Sequence, residues 1–272
     1  METKQHTKQQ AKMQLRLDKL LADAGFGTRS TVRNIIKKGS VTVDGTQVRT
    51  PDIKVDITSS SVAVEGEPVF YEKESYYILY KPAGILSASR DGREKTVIDL
   101  IPEPRRRDLF PVGRLDRDTV GLLLITNDGG LNNRLMAPGK HVEKTYRAVV
   151  SGQLPEDCVE RFASGLDIGD ENPTLPAKLS IEETVTEEQL VGILAAHGLG
   201  PWKEESAEIY TQITLTLTEG RYHQVKRMFE AVGCKVLFLK RISIGSLNLP
   251  ENLVLGEVMK VSYNELVELI NL

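Results

Sequence analysis

The sequence is poor in the residues that build a disulfide-linked, metal-binding or membrane-spanning protein. Its 272 residues include two cysteines, Cys158 and Cys234, which lie far apart and show no Cys-x-x-Cys spacing. The four histidines are equally scattered, so the sequence indicates neither a disulfide framework nor a zinc site. Apolar runs such as residues 122–125 are far shorter than the roughly 20 residues that cross a bilayer. We therefore expect a cytoplasmic protein without metal or membrane.

Neither sign of charge dominates, but the charges are unevenly distributed. The formal net charge is −3, yet residues 1–56 hold 11 Lys and Arg against 6 Asp and Glu, and the remainder holds 24 against 32. A basic segment on an acidic body is typical of a module that binds phosphates. Residues 1–13 are polar and lack the apolar segment of a signal peptide, which predicts a disordered tail. The remaining length suffices for two domains.

Two helices are predicted after this tail. An apolar stripe with helical spacing predicts the first over residues 16–24, and Gly25 is placed to end it in a left-handed conformation. Thr28 or Ser30 is suited to cap a second helix that reaches about Lys38. The second helix places its apolar residues on one face and its basic residues on the other.

The basic face of the second helix carries three cations. Arg29, Arg33 and Lys37 follow one another at i, i+4 and i+8. Taken alone, such a row is most often a solvated helix surface. Here Asp44-Gly45 follows between two β-prone runs and predicts a hairpin. The order of helix, helix and hairpin resembles the S4 RNA-binding domain over residues 14–61, and this resemblance implies that the basic helix holds structured RNA.

A second domain is predicted to begin at residue 75, after a linker over residues 62–74. Strand-like runs dominate it, at residues 76–80, 122–126, 146–150 and 213–217, and helical stretches are predicted around 97–100 and 221–232. This order favours a mixed, mostly antiparallel sheet over repeated βαβ units. The predicted class is therefore α+β, with a small α/β module followed by a larger catalytic domain over residues 75–272.

Asp116 lies in a charged loop, residues 114–118, directly before an apolar strand. A carboxylate at the mouth of a buried strand sits on a rigid element while its head group faces a cleft. Neighbouring cations, here Arg114 and Arg117, favour the ionised form of a carboxylate. The short pattern alone is better explained by a surface loop whose Arg and Asp residues pair. A two-carboxylate site with Asp118, as in glycosidases, has no other support in the chain.

The longer pattern around Asp116 carries a specific resemblance. Residues 113–129 read Gly-Arg-Leu-Asp-x-x-Thr-x-Gly-Leu-Leu-Leu-x-Thr-Asn-Asp-Gly. This stretch closely resembles the active-site motif of the RsuA-type rRNA pseudouridine synthases. The resemblance implies that Asp116 is the catalytic residue and that Arg114 occupies the space left by a flipped base.

Three further segments resemble the same family in the same order. Residues 80–84 resemble its Lys-Pro-x-Gly motif, in which proline and glycine shape a loop behind the active site. Residues 143–146 resemble the strand that carries its active-site tyrosine, which corresponds to Tyr146. Residues 219–228 resemble its C-terminal motif, in which a basic residue, here Lys226, forms an ion pair with the catalytic aspartate.

The same residues also allow plainer interpretations. Lys226 lies at the border of an apolar helical stripe, from which a lysine can extend into water. Tyr146 alone is typical of an aromatic residue on a strand. We assign His223 to RNA contact or to structural hydrogen bonding rather than to general base catalysis. Residues 185–208, including Trp202, have no clear counterpart in the family and are interpreted as an insertion or a hairpin extension.

The resemblance implies an enzyme that isomerises one uridine of ribosomal RNA to pseudouridine without a cofactor. The segment 223–228 is most similar to the enzymes of small-subunit (16S) rRNA, which we expect to be bound free or within an assembling small subunit. We expect a monomer. The alternatives are a 23S rRNA enzyme, a non-catalytic S4-domain RNA-binding protein and an inactive relative that assists ribosome assembly. Whether Asp116 attacks ribose C1′ or removes the 2′ proton stays open.

Overall fold

The chain forms two compact units. A computed structural model describes residues 13–102, 108–200 and 209–270. Within these ranges, one unit comprises residues 13–73 and the other comprises residues 74–102 and 108–270. Residues 1–12 of the predicted tail and Trp202 lie outside the described residues.

The first unit packs two helices against short antiparallel strands. One two-stranded sheet pairs β1 with β4, and a four-stranded sheet has the order β3-β2-β5-β6. Leucine, isoleucine and valine side chains from both helices and the strands form its core. The elements are β1 (Gln14–Arg16), α1 (Leu17–Asp23), α2 (Arg29–Lys38), β2 (Val41–Val43), β3 (Thr46–Val48), β4 (Lys54–Asp56), β5 (Val62–Val64) and β6 (Glu67–Pro68).

Local signals place these elements, and most of the predictions for them are confirmed. The main chain after α1 turns at Gly25 with a φ of 90°. The Thr28 hydroxyl accepts the N–H of Thr31 at 3.2 Å and caps α2, which ends at a left-handed Gly39. Asp44 and Gly45 both have positive φ, as the tight turn between β2 and β3 requires.

The predicted linker over residues 62–74 is wrong. Strand β5 pairs with β2, with Val64 opposite Val41, and the side chains of Val62 and Val64 are buried in the core of the first unit. This unit extends to Lys73. The alternation Val-Ala-Val is a strand signal, and the serines before it form a turn within the unit rather than a junction between domains.

The second unit is built on one nine-stranded sheet. Its strand order is β11-β12-β10-β13-β9-β7-β15, while β14 pairs with β13 and β8 pairs with β9. Its strands are β7 (Tyr76–Lys81), β8 (Phe110–Val112), β9 (Val120–Thr126), β10 (Lys144–Ser151), β11 (Lys178–Val185), β12 (Tyr210–Leu217), β13 (Lys235–Ile244), β14 (Leu247–Asn248) and β15 (Val258–Val261). Its α-helices are α3 (Gly129–Met136), α4 (Cys158–Ser164), α5 (Glu187–Ala196), α6 (Gln224–Glu230) and α7 (Tyr263–Ile270), and 3₁₀ turns span Val97–Leu100 and Pro138–Lys140.

The central strands of this sheet are buried on both faces. Every residue of β7 and β9 is buried, and alternate side chains of β9 join two separate core clusters. Among the described strands, β9 and β13 are the one parallel pair. The predicted mixed, mostly antiparallel α+β architecture is confirmed.

Three predicted elements differ in detail from the structure. The stretch 97–100 is a 3₁₀ turn. Helix α6 is shorter than the predicted 221–232, because Arg221 and His223 belong to the turn that precedes it. Between β11 and β12 the described part of 185–208 contains α5 with a Thr186–Gln189 capping box, so the insertion is helical there rather than an extended hairpin.

Candidate active site

The loop between β8 and β9 holds Asp116 at the mouth of a fully buried strand. Its side chain is 27% exposed, so one end of the carboxylate reaches solvent. The N–H of Thr119 bonds the carbonyl oxygen of Asp116 at 3.2 Å and closes a turn. One residue earlier, the buried Leu115 exchanges two hydrogen bonds with the hydroxyl of Ser87. The main chain on both sides of Asp116 is therefore fixed.

A buried ammonium group holds this loop through hydrogen bonds to its main chain. Lys81, the last residue of β7, is fully buried. Its Nζ donates to the main-chain oxygens of Pro82 (3.0 Å), Asp116 (3.1 Å), Arg117 (3.3 Å) and Thr119 (2.9 Å). Burial lowers the pKa of Lys81 to about 8, although the nearby Asp118 and Asp116 charges act in the opposite direction. The sequence motif 80–84 thus contributes a lysine as well as a loop.

Helix α6 and the turn before it bring two basic side chains, Lys226 and His223, to the carboxylates of this loop. The Nζ of Lys226 lies 2.7 and 2.8 Å from the two oxygens of Asp118 and 3.5 Å from Oδ2 of Asp116. The Nε2 of His223 lies 3.5 Å from Oδ1 of Asp116. Asp118 is 59% exposed and Lys226 21% exposed. Lys226 therefore bridges both carboxylates, and its shorter contacts are with Asp118 rather than with the predicted partner Asp116.

Strand register relates Tyr146 to the same loop. Tyr146 on β10 is opposite Arg241 on β13, and Arg241 is opposite Gly121 on β9. Adjacent strands lie about 4.8 Å apart, so the backbone of Tyr146 is about 10 Å from that of Gly121. The buried Tyr146 belongs to the same core cluster as Leu115 and Val225, the neighbours of Asp116 and Lys226 in sequence.

Gly121, within the motif, has a physical reason to be glycine. Its φ is 114°, and a Cβ atom there would lie 2.2 Å from the carbonyl oxygen of Arg241. Only glycine permits this approach of β13. The buried Arg241 donates from Nε to the carbonyl oxygen of Leu122 at 2.8 Å. Its Nη2 has no hydrogen-bond partner in the described part of the chain.

Arg114 and Arg117, which flank Asp116, have different surroundings. Arg117 pairs with Glu94 at 2.9 Å and donates to the carbonyl oxygen of Gly84 at 3.3 Å, so it ties the loop to the segment after β7. Arg114 is exposed and forms no ion pair with any residue that the structure describes. Its guanidinium is therefore available to a ligand.

The predicted cationic row on α2 is exposed, but one of its members has a structural partner. The Nε of Arg33 donates to the fully buried Asp18 at 3.0 Å. Arg16 donates two further hydrogen bonds to the same carboxylate. The hydrogen bond from Arg16, with that from Arg33, lowers the pKa of Asp18 to about 2. Arg29 and Lys37 have no such partner among the described residues.

Sequence reasoning missed Lys81 as a member of the site, and it missed Asp118 as the closer partner of Lys226. A signal for Lys81 exists, because a lysine that continues the apolar run of β7 must bury its ammonium group or leave the sheet. The bond between Lys226 and Asp118 has no local signal, since 108 residues separate the two.

Within the described ranges, no group of three or more His, Cys, Asp and Glu side chains is arranged to hold a metal ion. None of the described helices is long and apolar enough to cross a membrane.

Two family models match the chain. A model described as RNA pseudouridylate synthase matches residues 75–231, and the S4 domain model matches residues 15–59. The first match covers more than half of the chain and contains the Lys81, Asp116 and Lys226 segments.

Full-length relatives give the same result. The chain is 41% identical over 253 residues to "Uncharacterized RNA pseudouridine synthase YtzG" of Bacillus subtilis (strain 168), covering 93% of this chain and 97% of the relative. It is 36% identical over 256 residues to ribosomal small subunit pseudouridine synthase A of Vibrio cholerae, covering 94% and 99%. It is 37% identical over 255 residues to ribosomal large subunit pseudouridine synthase B of Bacillus subtilis, covering 93% and 95%.

A solved structure is similar over the same span. The crystal structure of a pseudouridylate synthase matches with a TM-score of 0.59 and 32% identity, covering 94% of this chain and 99% of the other. The fold, the ordered motifs and the relatives agree: the chain belongs to the RNA pseudouridylate synthases, a family of isomerases, and carries an S4 domain at residues 15–59.

Proposed function

We propose that this enzyme isomerises a specific uridine of 16S rRNA to pseudouridine, with Asp116 as the catalytic carboxylate. The assignment rests on the contacts that hold Asp116 and surround its carboxylate. Its main chain is held by the buried Lys81, and its carboxylate lies 3.5 Å from both Lys226 and His223 while remaining partly open to solvent. A carboxylate that is fixed, faced by a lysine ammonium group and accessible is suited to act on a bound nucleotide.

The reaction breaks the bond between uracil N1 and ribose C1′, turns the base, and forms a bond from C5 to C1′. The proton on C5 is lost and N1 ends protonated, so atoms and electrons balance without a cofactor. Asp116 acts either as a nucleophile at C1′ or as the base that takes the 2′ proton, and in both roles it must be ionised. The ammonium group of Lys226 lies 3.5 Å from Oδ2 of Asp116 and supplies a countercharge beside the reacting carboxylate.

The other candidate residues surround the base. Tyr146 stacks on the uracil and assists proton removal from C5. The exposed guanidinium of Arg114 occupies the space that the uridine vacates, because a base must leave its stack before the carboxylate reaches C1′. In the first unit, Arg29, Arg33 and Lys37 contact phosphates of the same RNA, and His223 contacts the RNA beside Asp116.

The choice of 16S rRNA rests on segment 223–228 and on small-subunit relatives such as that of Vibrio cholerae. The large-subunit enzyme of Bacillus subtilis is similar to the same degree, so 23S rRNA is the alternative substrate that the experiment must include. We further propose that the enzyme acts as a monomer in the cytoplasm, where ribosomal RNA is assembled.

The test measures tritium release from C5 of [5-³H]uridine in 16S and 23S rRNA, supplied separately. Asp116→Asn should lower kcat at least about 1,000-fold while RNA affinity is retained, because the isosteric amide removes the reacting oxygen anion. The matched control is Asp118→Asn, which also loses a carboxylate 2.7 Å from Lys226. It should retain most of the activity. Loss of activity in Asp118→Asn together with retained activity in Asp116→Asn would reassign the catalytic residue. Tritium release from 23S rRNA but not from 16S rRNA would reassign the substrate.

A further inference from the structure

One aromatic side chain beside Asp116 is left outside every core cluster. Tyr222, in the turn before α6, is 77% exposed. Its ring stacks on the ring of His223, with centroids 3.8 Å apart and planes 17° apart. The Nε2 of His223 is in turn 3.5 Å from Asp116. A two-ring stack therefore contacts Asp116 through a nitrogen of His223, and its outer member, Tyr222, is mostly exposed.

The turn that carries this stack is held from both sides. The guanidinium of Arg227 donates to the carbonyl oxygen of Tyr222 at 3.1 Å, and also to Ile168 and Asp170. The guanidinium of Arg221 donates to the carbonyl oxygens of Asn172 and Pro173 at 2.6 and 2.7 Å. Two arginines thus fasten the turn to the segment 168–173.

The backbone at the stack is itself unfavourable for an ordinary side chain. His223 has a φ of 49°, in the left-handed region. In this conformation the ring plane of His223 lies 17° from that of Tyr222. On its other face, Tyr222 makes no ring contact within the part of the chain that the structure describes. The Tyr222 ring is thus held by its contact with His223 while most of its surface is exposed, so a flat ligand can stack on it.

We infer that Tyr222 and His223 form a stacking platform for an unpaired RNA base that flanks the target uridine. Stacking on a fixed aromatic ring is how proteins hold single-stranded bases, since every base offers a π-face. The inference rests on the proposed function, because it takes RNA as the ligand of the Asp116 site.

Distance favours a flanking base over the target itself. A base on the open face of Tyr222 lies one stacking layer of about 3.4 Å beyond the Tyr222 ring, whose centroid is itself 3.8 Å from that of His223, the residue that contacts Asp116. The C1′ atom of the target must contact the carboxylate, which this position does not allow. A neighbouring nucleotide, unstacked when the target leaves the helix, can reach the platform.

The kinetic test compares Tyr222→Ala with Tyr222→Phe in the full chain, using [5-³H]uridine-labelled rRNA as substrate. Tyr222→Ala should raise KM about tenfold or more and leave kcat within about twofold, because stacking of one base contributes this much to binding. Tyr222→Phe keeps the ring and should behave like the wild type. Tyr263→Ala, which removes another partly exposed tyrosine on α7, is the control and should change neither constant.

Three kinetic outcomes overturn the platform. The first is an unchanged KM in Tyr222→Ala. The second is an equal rise in KM in Tyr222→Ala and Tyr222→Phe. The third is a rise in KM that occurs with ribosomal particles as substrate but not with free rRNA. The last would identify the surface as a protein contact.

A spectroscopic test separates failure of the platform from failure of the proposed function. The chain has one tryptophan, Trp202. In a Trp202→Phe, Tyr222→Trp variant, fluorescence at position 222 should be quenched by a single-stranded octauridylate, because a stacked base quenches tryptophan. The Trp202→Phe, Tyr263→Trp variant should show no quenching. Absence of quenching at position 222 would overturn the platform even if the enzyme isomerises uridine. Quenching without any tritium release by the wild type would reject the proposed reaction alone.

Discussion

The two units of the chain use positive charge in opposite ways. In the first unit, Arg29 and Lys37 extend from α2 into solvent without a partner among the described residues. In the second unit, Lys81, Lys144 and Arg241 are buried, and each donates to main-chain carbonyl oxygens. The first arrangement leaves cations open to a polyanion, and in the second arrangement the cations are bonded to the main chain, that of Lys81 to the loop of Asp116.

This difference predicts different physical responses. Exposed cations bind phosphates through a term that salt weakens. A buried ammonium group that bonds several carbonyl oxygens is little affected by salt, but its removal leaves polar groups buried and unsatisfied. We therefore expect the first unit to contribute RNA affinity and the second unit to position the Asp116 loop.

The largest effect is expected for Lys81→Met. The variant preserves most of the side-chain volume but removes the donor to four carbonyl oxygens. Release of the loop should displace Asp116 and lower kcat/KM about 100-fold, and unsatisfied carbonyls should lower the free energy of unfolding by about 2 kcal/mol. Isomerisation assays and urea unfolding measure the two quantities.

Lys144→Met is the matched control for Lys81→Met. Lys144 is also buried, but it donates to one carbonyl oxygen, that of Val142, which does not belong to the Asp116 loop. Its replacement should affect activity far less. If the two variants lose activity equally, the buried cations support the unit as a whole rather than the catalytic loop.

A pH effect of intermediate size follows from the pKa of Lys81. Burial lowers this pKa to about 8, whereas the ordinary lysine value is 10.5. Between these two pH values Lys81 is mostly neutral in the folded protein and still protonated in the unfolded chain. The free energy of unfolding contributed by this group should therefore increase with pH across that window. Activity should instead fall as pH rises through about 8, because a neutral amine has one donor fewer for the loop.

Profiles of activity against pH and unfolding curves from pH 7 to 10 check whether activity falls while the free energy of unfolding rises. The same activity step should persist in Lys144→Met. A flat rate profile across pH 8 would show that the loop does not depend on the charged form of Lys81.

The smallest effect is expected for the double variant Arg29→Ala, Lys37→Ala. Loss of two exposed cations should weaken RNA binding and reduce the slope of log K against log salt by at most about two. The stability of the first unit should be unchanged. Filter binding of rRNA at several salt concentrations measures the slope.

Arg33→Ala distinguishes binding from folding on the same helix. It removes a partner of the buried Asp18, so it should lower the stability of the first unit in addition to weakening RNA binding. A salt slope unchanged in the double variant would leave α2 as an ordinary solvated surface.

The same contrast explains how far the sequence predicts the structure. Helices α1 and α2, the Thr28 cap and the Asp44-Gly45 turn depend on residues a few positions apart, and these predictions are confirmed. The pairing of β5 with β2 joins residues about 20 positions apart, and the prediction of a linker there is wrong.

The candidate site was predictable as a set of motifs but not as a geometry. Family resemblance marked Asp116, Tyr146 and Lys226, which the sheet and α6 arrange around one core cluster. The three bonds of Lys81 to the Asp116 loop and the shorter contacts of Lys226 with Asp118 depend on how β7, β9 and α6 pack together. Such contacts, over 35 to 108 residues of sequence, leave no periodic signal in the chain.

Pseudouridine mapping in cells tests whether Asp116 catalyses the isomerisation of rRNA. Ribosomal RNA would be mapped from a strain that lacks this chain and from the same strain expressing the wild type, Asp116→Asn or Asp118→Asn. We expect one pseudouridine of 16S rRNA to be absent from the deletion strain, restored by the wild type and by Asp118→Asn, and not restored by Asp116→Asn. Restoration of that site by Asp116→Asn would contradict the account.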